Sequence, residues 1–346
     1  MRTRLFIVLL TLASLLTACS NKNPNTVSAS SGGVKLQGAG ASFPAPLYTK
    51  WFKTFDSSHP DVLVDYQSVG SGSGVKSVID KTVDFGASDA AMTDEEMGRV
   101  AGGVQLIPMT AGSIVIAYNL PDVKELKLSR KAYSDIFLGR IKKWNDPEIA
   151  KANPGIKLPA QPVNVVVRAD SSGTSFVFSK HLSAVNPEFD KTVGTNKMPN
   201  WPAGTKSKGN EGVTASLMTT PGSIGYIEYG YAKSQNVPFA TLENKAGKYV
   251  SATTASGQAA LASAQLPENL IAWNPDPSGD GAYPIVTYTW QIFYKKYDSQ
   301  KLAAVQELIK YQLNDGQKDA ETMGYIPLPE NVVAKGMAAT SNITAQ

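Results

Sequence analysis

Cysteine and histidine are nearly absent from this chain of 346 residues, which holds one cysteine and two histidines. A single cysteine, Cys19, cannot form an internal disulfide, and its lipidation would leave no thiol nucleophile. The two histidines, His59 and His181, stand outside any recognisable motif and are too few for the clustered ligands of a catalytic metal. Nothing marks a serine–histidine–aspartate triad either, so the sequence gives enzymatic interpretations little support.

An excess of charge of one sign is also missing. The chain has 33 basic and 29 acidic residues, and residues 1–18 hold two of the basic ones and no acidic one. The remainder is therefore near neutral, and no basic stripe with interleaved aromatic residues stands out, so nucleic acid is not an expected partner. A hydrophobic content of 42% with 18% charged residues argues against a disordered chain. The length makes two lobes the default expectation.

Long apolar runs are confined to the N-terminus. Two arginines precede an apolar stretch from Leu5 to Leu16, which is short for a bilayer span. The following residues resemble a bacterial lipobox in which Cys19 is lipidated after cleavage, although an ordinary signal peptide with an incidental cysteine is the alternative. We therefore expect residues 1–18 to be a lipoprotein signal peptide and the polar residues 19–33 to be a flexible tether. The expected location is the periplasm or cell surface, anchored to the outer face of the inner membrane or to the outer membrane.

From residue 34 onward, short apolar runs alternate with amphipathic segments, which is typical of an α/β fold. Strands are predicted at 34–38, 62–66, 83–89, 107–120, 163–167 and 283–290, and helices are predicted after Pro44, from Val75, over 176–182 and over 302–309. We expect two α/β lobes joined by extended crossovers, with a ligand cleft that closes by hinge motion. One large domain is the alternative.

Three short runs of glycine and hydroxyl residues stand where helices are expected to begin, at 40–43, 70–74 and 168–174. A helix N-terminus offers unpaired N–H groups and the positive end of a dipole, and small side chains let an oxyanion approach the backbone. If the three runs converge, they form a site for a small tetrahedral anion. Taken alone, the run at 70–74 is more often a turn, and it lacks the lysine of a Walker A loop.

The third run combines a cation with hydroxyl and N–H donors. Arg168 follows the predicted strand at 163–167, so its guanidinium group is expected at the carboxyl end of a sheet, where α/β folds bind ligands. Asp170 is placed to hold that guanidinium group, and the donors that follow would come from Ser172, Gly173 and Thr174. The alternative is a surface ion pair beside an ordinary helix N-cap.

Asp89 ends the predicted strand at 83–89 and would discriminate between anions. A carboxylate repels an anion unless the ligand brings a proton. Hydrogen phosphate and dihydrogen phosphate can donate one, whereas sulfate at neutral pH cannot, so Asp89 would disfavour sulfate. The alternative role for Asp89 is the N-cap of a helix starting at Ala90.

Several segments together resemble the phosphate-binding proteins of the bacterial phosphate-specific ABC transporter. They are residues 38–48, 83–89, 168–176 and 221–226, with 138–144 and 208–212 fitting as well. The resemblance implies a two-lobed periplasmic-binding-protein fold of type II-like architecture, with a ligand cleft between the lobes and hinge crossovers. Lobe I would comprise 34–108 and 283–346, and lobe II would comprise 109–282.

The resemblance also implies which residues contact phosphate, because eight positions of this sequence match the contact positions of the family. They are Ser42, Phe43 (through its backbone N–H), Ser71, Asp89, Arg168, Ser172, Gly173 and Thr174. Asp170 would be the partner of Arg168. No cofactor, metal or enzymatic activity is expected. The implied partners are inorganic phosphate, a transporter of two permease subunits and an ATPase dimer, and a membrane through the lipid anchor, and the protein itself would be a monomer.

Three other functions stay open at this stage. The site could bind another oxyanion, such as sulfate or molybdate. The chain could be a secreted phosphohydrolase that retains phosphate as a product, or a surface adhesion or scaffold protein with an incidental anion site.

Overall fold

The computed structural model describes residues 33–346. The predicted signal peptide, nearly all of the tether and the predicted lipidation site at Cys19 lie outside these residues. Within the described range, no helix has both the length and the apolar character that crossing a bilayer requires.

The described residues form strands and helices in alternation, as the sequence predicts. The strands are β1 (Val34–Gly40), β2 (Val62–Ser68), β3 (Phe85–Ser88), β4 (Val104–Tyr118), β5 (Lys127–Leu128), β6 (Asn164–Arg168), β7 (Thr205–Ser207), β8 (Ser223–Glu228), β9 (Thr241–Glu243), β10 (Tyr249–Val250), β11 (Val286–Tyr294), β12 (Lys296–Tyr297) and β13 (Thr344–Ala345). The α-helices are α1 (Ala45–Ser58), α2 (Ser71–Ile79), α3 (Asp94–Gly98), α4 (Arg130–Phe137), α5 (Pro147–Ala152), α6 (Gly173–Val185), α7 (Pro187–Thr192), α8 (Gly209–Thr219), α9 (Tyr229–Gln235), α10 (Thr254–Leu261), α11 (Ser299–Leu313), α12 (Gln317–Thr322) and α13 (Glu330–Ala339).

Eight strands form one mixed sheet in the order β2-β1-β3-β11-β4-β8-β6-β7. The strands β2, β1 and β3 are parallel to one another, as are β8, β6 and β7. The long strand β4 joins these groups: residues 104–113 pair with β11, and residues 114–118 pair with β8. The predicted crossing strand is therefore present, and it passes from one half of the sheet into the other.

Each half of the sheet is packed by an aromatic cluster. Helix α1 buries the predicted apolar face, including Leu47, Trp51 and Phe55, and the Trp51 indole N–H donates to the carbonyl oxygen of Gly316 at 2.6 Å. In the other half, Phe178 on α6 stacks on Tyr226 of β8 with ring centroids 4.5 Å apart. The helices that begin at the first and third glycine and hydroxyl runs are thus fixed by core packing.

The second run begins a helix earlier than predicted. Helix α2 starts at Ser71 rather than at Val75 and follows Gly70, which has a φ of 94°. A side chain at Gly70 would also come within 2.4 Å of Asp170 Oδ2. Glycine is required there both for its backbone conformation and for the close approach of the third run.

Candidate functional site

The starts of α2 and α6 lie against each other. A Cβ atom on Gly173 would come within 2.3 Å of Ser71 Oγ and 2.7 Å of Asp89 Oδ2. The N–H group of Gly72 donates to the carbonyl oxygen of Ser171 at 2.9 Å. The structure therefore brings the second and third runs, together with Asp89, to one place.

Three tyrosine hydroxyl groups hold the first run in position. They donate to three successive carbonyl oxygens: Tyr66 to Ala41 at 2.7 Å, Tyr231 to Ser42 at 2.6 Å and Tyr325 to Phe43 at 2.8 Å. These bonds fix the backbone that carries the first run. Within residues 33–346, the backbone N–H groups of Phe43, Ser71, Gly173 and Thr174 donate to no oxygen of the protein.

Four buried hydroxyl groups at the site all accept hydrogen bonds from N–H groups. Ser42 Oγ accepts from Asn210 N at 3.0 Å, Ser71 Oγ from Asp89 N at 3.2 Å, Ser172 Oγ from Ser175 N at 2.9 Å, and Thr174 Oγ1 from Arg168 Nη1 at 3.2 Å. An N–H group can only donate, so each hydroxyl oxygen is the acceptor in these bonds. These bonds leave the hydroxyl protons of Ser42, Ser71 and Ser172 without an acceptor in the site, whereas the Thr174 hydroxyl group is placed to donate to the Asp89 carboxylate.

Arg168 is buried and paired rather than exposed at the surface. Its side chain is 1% exposed, and its Nε and Nη2 atoms donate to the two carboxylate oxygens of Asp170 at 2.9 and 2.5 Å. Burial acts to raise the pKa of Asp170, but the hydrogen bonds and charge of Arg168 outweigh it, and the pKa lies below its ordinary value. The alternative of a surface ion pair is therefore wrong.

Asp89 is 1% exposed and has its two carboxylate oxygens in different surroundings. Oδ1 accepts a hydrogen bond from Thr289 Oγ1 at 2.9 Å, while Oδ2 faces Gly173 at the start of α6. Burial raises the pKa of Asp89 to about 7, with the Thr289 hydrogen bond, the charge of Arg168 and a hydrogen bond from the Thr174 side chain acting in the opposite direction. The N-cap alternative is wrong, because the next helix begins at Asp94 after its own N-cap, Thr93.

Two residues at the site were not assigned a role from the sequence. Thr289 binds Asp89, and Asn210 donates from Nδ2 to Ser42 Oγ at 2.9 Å and to Thr174 Oγ1 at 3.1 Å. The available signal for Thr289 is a polar residue within a strand that otherwise has the pattern of a buried one. Asn210 lies in the segment 208–212 that carries part of the resemblance, but nothing in the sequence indicates its contacts.

The resulting site is a ring of donors around a single carboxylate acceptor. Hydroxyl groups, backbone N–H groups and one guanidinium group surround the point where Asp89 Oδ2 meets α6. Among residues 33–346, no group of three or more histidine, cysteine, aspartate or glutamate side chains is placed to hold a metal ion. The arrangement suits a small oxyanion that carries a proton.

The comparisons with known proteins agree with this chemistry. A family profile described as "PBP superfamily domain" matches residues 26–315. The phosphate-binding protein PstS of Pasteurella multocida is 41% identical over 308 residues, covering 87% of this chain and 88% of that protein. The PstS protein of Methanocaldococcus jannaschii is 35% identical over 350 residues, covering 94% and 88%.

This chain belongs to the PstS family of phosphate-binding proteins.

Solved structures with this fold confirm the architecture. A high-affinity periplasmic phosphate-binding protein, solved with phosphate bound, matches with a TM-score of 0.73 at 22% identity, over 88% of this chain and 93% of that one. A phosphate-binding protein from Stenotrophomonas maltophilia matches with a TM-score of 0.71 at 21% identity, over 88% and 94%. The predicted two-lobed α/β periplasmic-binding-protein fold is thus confirmed.

Proposed function

We propose that this chain binds inorganic phosphate outside the cytoplasm and delivers it to an ABC permease. The observation that carries the proposal is the buried carboxyl group of Asp89, whose Oδ2 faces the start of α6 among hydrogen-bond donors. Hydrogen phosphate and dihydrogen phosphate have the matching pattern, because they present several acceptor oxygens and at least one proton. The names of the PstS relatives support the same ligand.

The eight predicted contact residues divide into three roles in this proposal. Ser42, Ser71, Ser172 and Thr174 donate hydroxyl protons, and Phe43 and Gly173 donate backbone N–H groups. Arg168, held by Asp170, supplies the one positive charge. Asp89 accepts the proton of the ligand. A dehydrated anion needs each oxygen satisfied, and neutral donors can do this beside one partly neutralised cation.

The site is built from both halves of the sheet, which supports ligand capture between two lobes. Ser42, Ser71 and Asp89 follow β1, β2 and β3, whereas Arg168 ends β6 and Thr174 follows it. We propose lobe I as 34–108 and 283–346 and lobe II as 109–282, with hinge crossovers within β4 and just before β11. Closure around phosphate would then produce the conformation that the permease complex recognises.

The proposal extends to the membrane. Lipidation of Cys19 would hold a monomeric receptor beside its two permease subunits and ATPase dimer, in the periplasm or at the cell surface. Changing Cys19 to Ala is expected to move the protein from the membrane fraction to the soluble extracytoplasmic fraction. Retention of the variant in washed membranes would contradict a lipid anchor at this residue.

Calorimetric titration with phosphate, arsenate and sulfate tests the ligand. We expect phosphate and arsenate, which share a protonation pattern, to bind, and sulfate to bind at least about 100-fold more weakly because it leaves Asp89 unsatisfied and repelled. D89N should lose most of this preference for phosphate over sulfate. If D89N keeps the preference, the role of Asp89 as the proton acceptor is wrong.

We further propose that the chain is a receptor without hydrolytic activity. A chromogenic phosphate ester should give no turnover with the wild-type protein. Turnover that S172A abolishes would instead identify a phosphohydrolase.

A further inference from the structure

Asn210 has a buried side-chain amide, and a backbone N–H group, which can only donate, fixes the orientation of that amide. It is the second residue of α8 and is 0% exposed. The backbone N–H of Glu228 donates to Asn210 Oδ1 at 2.8 Å. Because an N–H group needs an acceptor, the oxygen of the amide must face Glu228, and its NH₂ group must face the opposite way.

That NH₂ group faces the candidate site and uses both of its protons there. One is donated to Ser42 Oγ at 2.9 Å and the other to Thr174 Oγ1 at 3.1 Å. The backbone N–H of Asn210 donates to Ser42 Oγ as well, at 3.0 Å. Each hydroxyl oxygen therefore accepts two hydrogen bonds: Ser42 both from Asn210, and Thr174 one from Asn210 and one from Arg168.

A hydroxyl group has two acceptor lone pairs and one proton. With two bonds accepted, neither Ser42 nor Thr174 has acceptor capacity left, and each can only donate. Without Asn210, both hydroxyl groups could rotate and offer a lone pair to the ligand. The site would then hold more than one acceptor, and Asp89 would no longer be the only group that can accept the proton of the ligand.

We propose that Asn210 is a positioning residue that turns the hydroxyl protons of Ser42 and Thr174 into the site, where they can donate to a ligand or to Asp89, and so keeps the site a ring of donors around one acceptor. The inference rests on the proposed phosphate site. Asn210 also ties together three parts of the fold, since Ser42 follows β1, Thr174 begins α6 and Glu228 ends β8. It can therefore make its full set of bonds only when the two halves of the site are together.

Thr214 provides a matched control within the same helix. It is 4% exposed, and its hydroxyl group donates to the carbonyl oxygen of Asn210 at 2.8 Å without contacting Ser42 or Thr174. T214V removes a buried hydrogen bond from α8 while leaving the side-chain amide of Asn210 intact. It should lower the melting temperature without changing phosphate affinity by more than about twofold.

A double-mutant cycle measured by phosphate calorimetry tests the inference. We expect N210A to weaken phosphate binding by about tenfold or more in the wild-type background. In the S42A/T174V background, where the two hydroxyl groups are gone, the same change should weaken binding by less than about threefold.

If N210A does not fold, the cycle is run with N210D, which keeps the side-chain volume and the oxygen that accepts from the Glu228 N–H group. N210D should lose more affinity in the wild-type background than in S42A/T174V, because its carboxylate would accept the hydroxyl protons.

A spectroscopic measurement separates proton orientation from general packing. In the phosphate complex of the wild-type protein, the hydroxyl protons of Ser42 and Thr174 should show scalar coupling to ³¹P, and in N210D this coupling should be lost. Equal loss of affinity from N210A in both backgrounds, or unchanged ³¹P coupling in N210D, would overturn the role of Asn210. If the wild-type protein itself does not bind phosphate, the proposed function fails instead.

Discussion

Asp89 is a residue at which burial and charge act against each other. A buried carboxylate without a full set of donors costs free energy, and the pKa of Asp89 is accordingly raised to about 7. Thr289 donates to one oxygen, and in the proposed function the other accepts the proton of the ligand. The buried carboxyl group of Asp89 therefore lowers the free energy of unfolding when no ligand is bound.

This cost predicts a pH-dependent stability difference between D89N and the wild-type protein in phosphate-free buffer. The folded pKa of Asp89 is raised above its ordinary value of 3.8. The folded state therefore retains a proton that the unfolded state has released, and wild-type stability falls as pH rises toward 7. The amide introduced by D89N does not titrate, so the advantage of D89N in free energy of unfolding, measured by denaturant titration, should grow between about pH 5 and about pH 8, by up to about 3 kcal/mol at the upper end. A difference that stays constant across this range would contradict the raised pKa.

At this scale the sequence predicts the proposed contact residues better than the residues that hold them in place. Asp89 and Arg168 were predicted because each ends a strand, and strand ends define where α/β folds bind ligands. Thr289 and Asn210 act through side-chain hydrogen bonds to residues far away in the sequence, 200 positions for Thr289 and 168 for Asn210. No local pattern carries such a pairing.

Among the elements, the start of α6 can combine helix capping with ligand binding, two roles that the sequence presented as alternatives. Ser172 is the N-cap, accepting from Ser175 N at 2.9 Å, and this bond does not use its hydroxyl proton. The two interpretations are compatible because capping uses the oxygen as an acceptor and ligand binding would use the proton.

Replacing the N-cap serines of two helices distinguishes the capping role from the binding role. Ser129 caps α4 by accepting from Ala132 N at 3.0 Å and also donates to Glu148 Oε1 at 2.9 Å, and neither bond involves the candidate site. S172A and S129A should each lower the free energy of unfolding by about 1 kcal/mol. Only S172A should weaken phosphate binding, by about tenfold or more, as measured by calorimetry. Equal affinities for the two variants would leave Ser172 with a structural role alone.

Helix α2 shows why element boundaries near the site were harder to predict than the elements themselves. Two glycines in its first turn lower helix propensity, so the sequence favoured a start at Val75. The fold requires them: a Cβ atom on Gly74 would come within 2.5 Å of Gly40 Cα and 2.8 Å of Ala87 O. Close packing of α2 on β1 and β3 therefore outweighs propensity, and that packing is a tertiary property.

For the whole molecule, alternation of apolar and amphipathic segments predicted an α/β fold, but the strand order could not be predicted from it. Strand β11 returns from near the C-terminus to lie between β3 and β4. This placement brings Thr289 to Asp89 and closes the first half of the sheet. Only the family resemblance, which implied a first lobe built from both chain ends, anticipated it.

Contacts across the candidate cleft link the two halves of the sheet. Lys197 is part of one such link: its Nζ atom lies 3.0 Å from Glu96 Oε1, and its carbonyl oxygen accepts the N–H group of Ser172 at 2.9 Å. The ion pair thus connects the segment that supports the start of α6 to α3 on the opposite side. Both side chains are at most 25% exposed, so the pair is partly shielded from solvent.

The ion pair predicts how fast phosphate leaves. If the cleft opens before release, K197M should speed phosphate dissociation by about two- to fivefold, the equivalent of about 0.5–1 kcal/mol for a partly exposed pair, with little change in the association rate. Lys301 offers the control, because its ion pair with Asp84 at 2.6 Å lies within the first half of the sheet. Stopped-flow displacement of phosphate should show faster release for K197M and wild-type release for K301M. If K301M speeds release as much as K197M does, the effect comes from general loss of charge or stability, and the contact between Lys197 and Glu96 does not control opening.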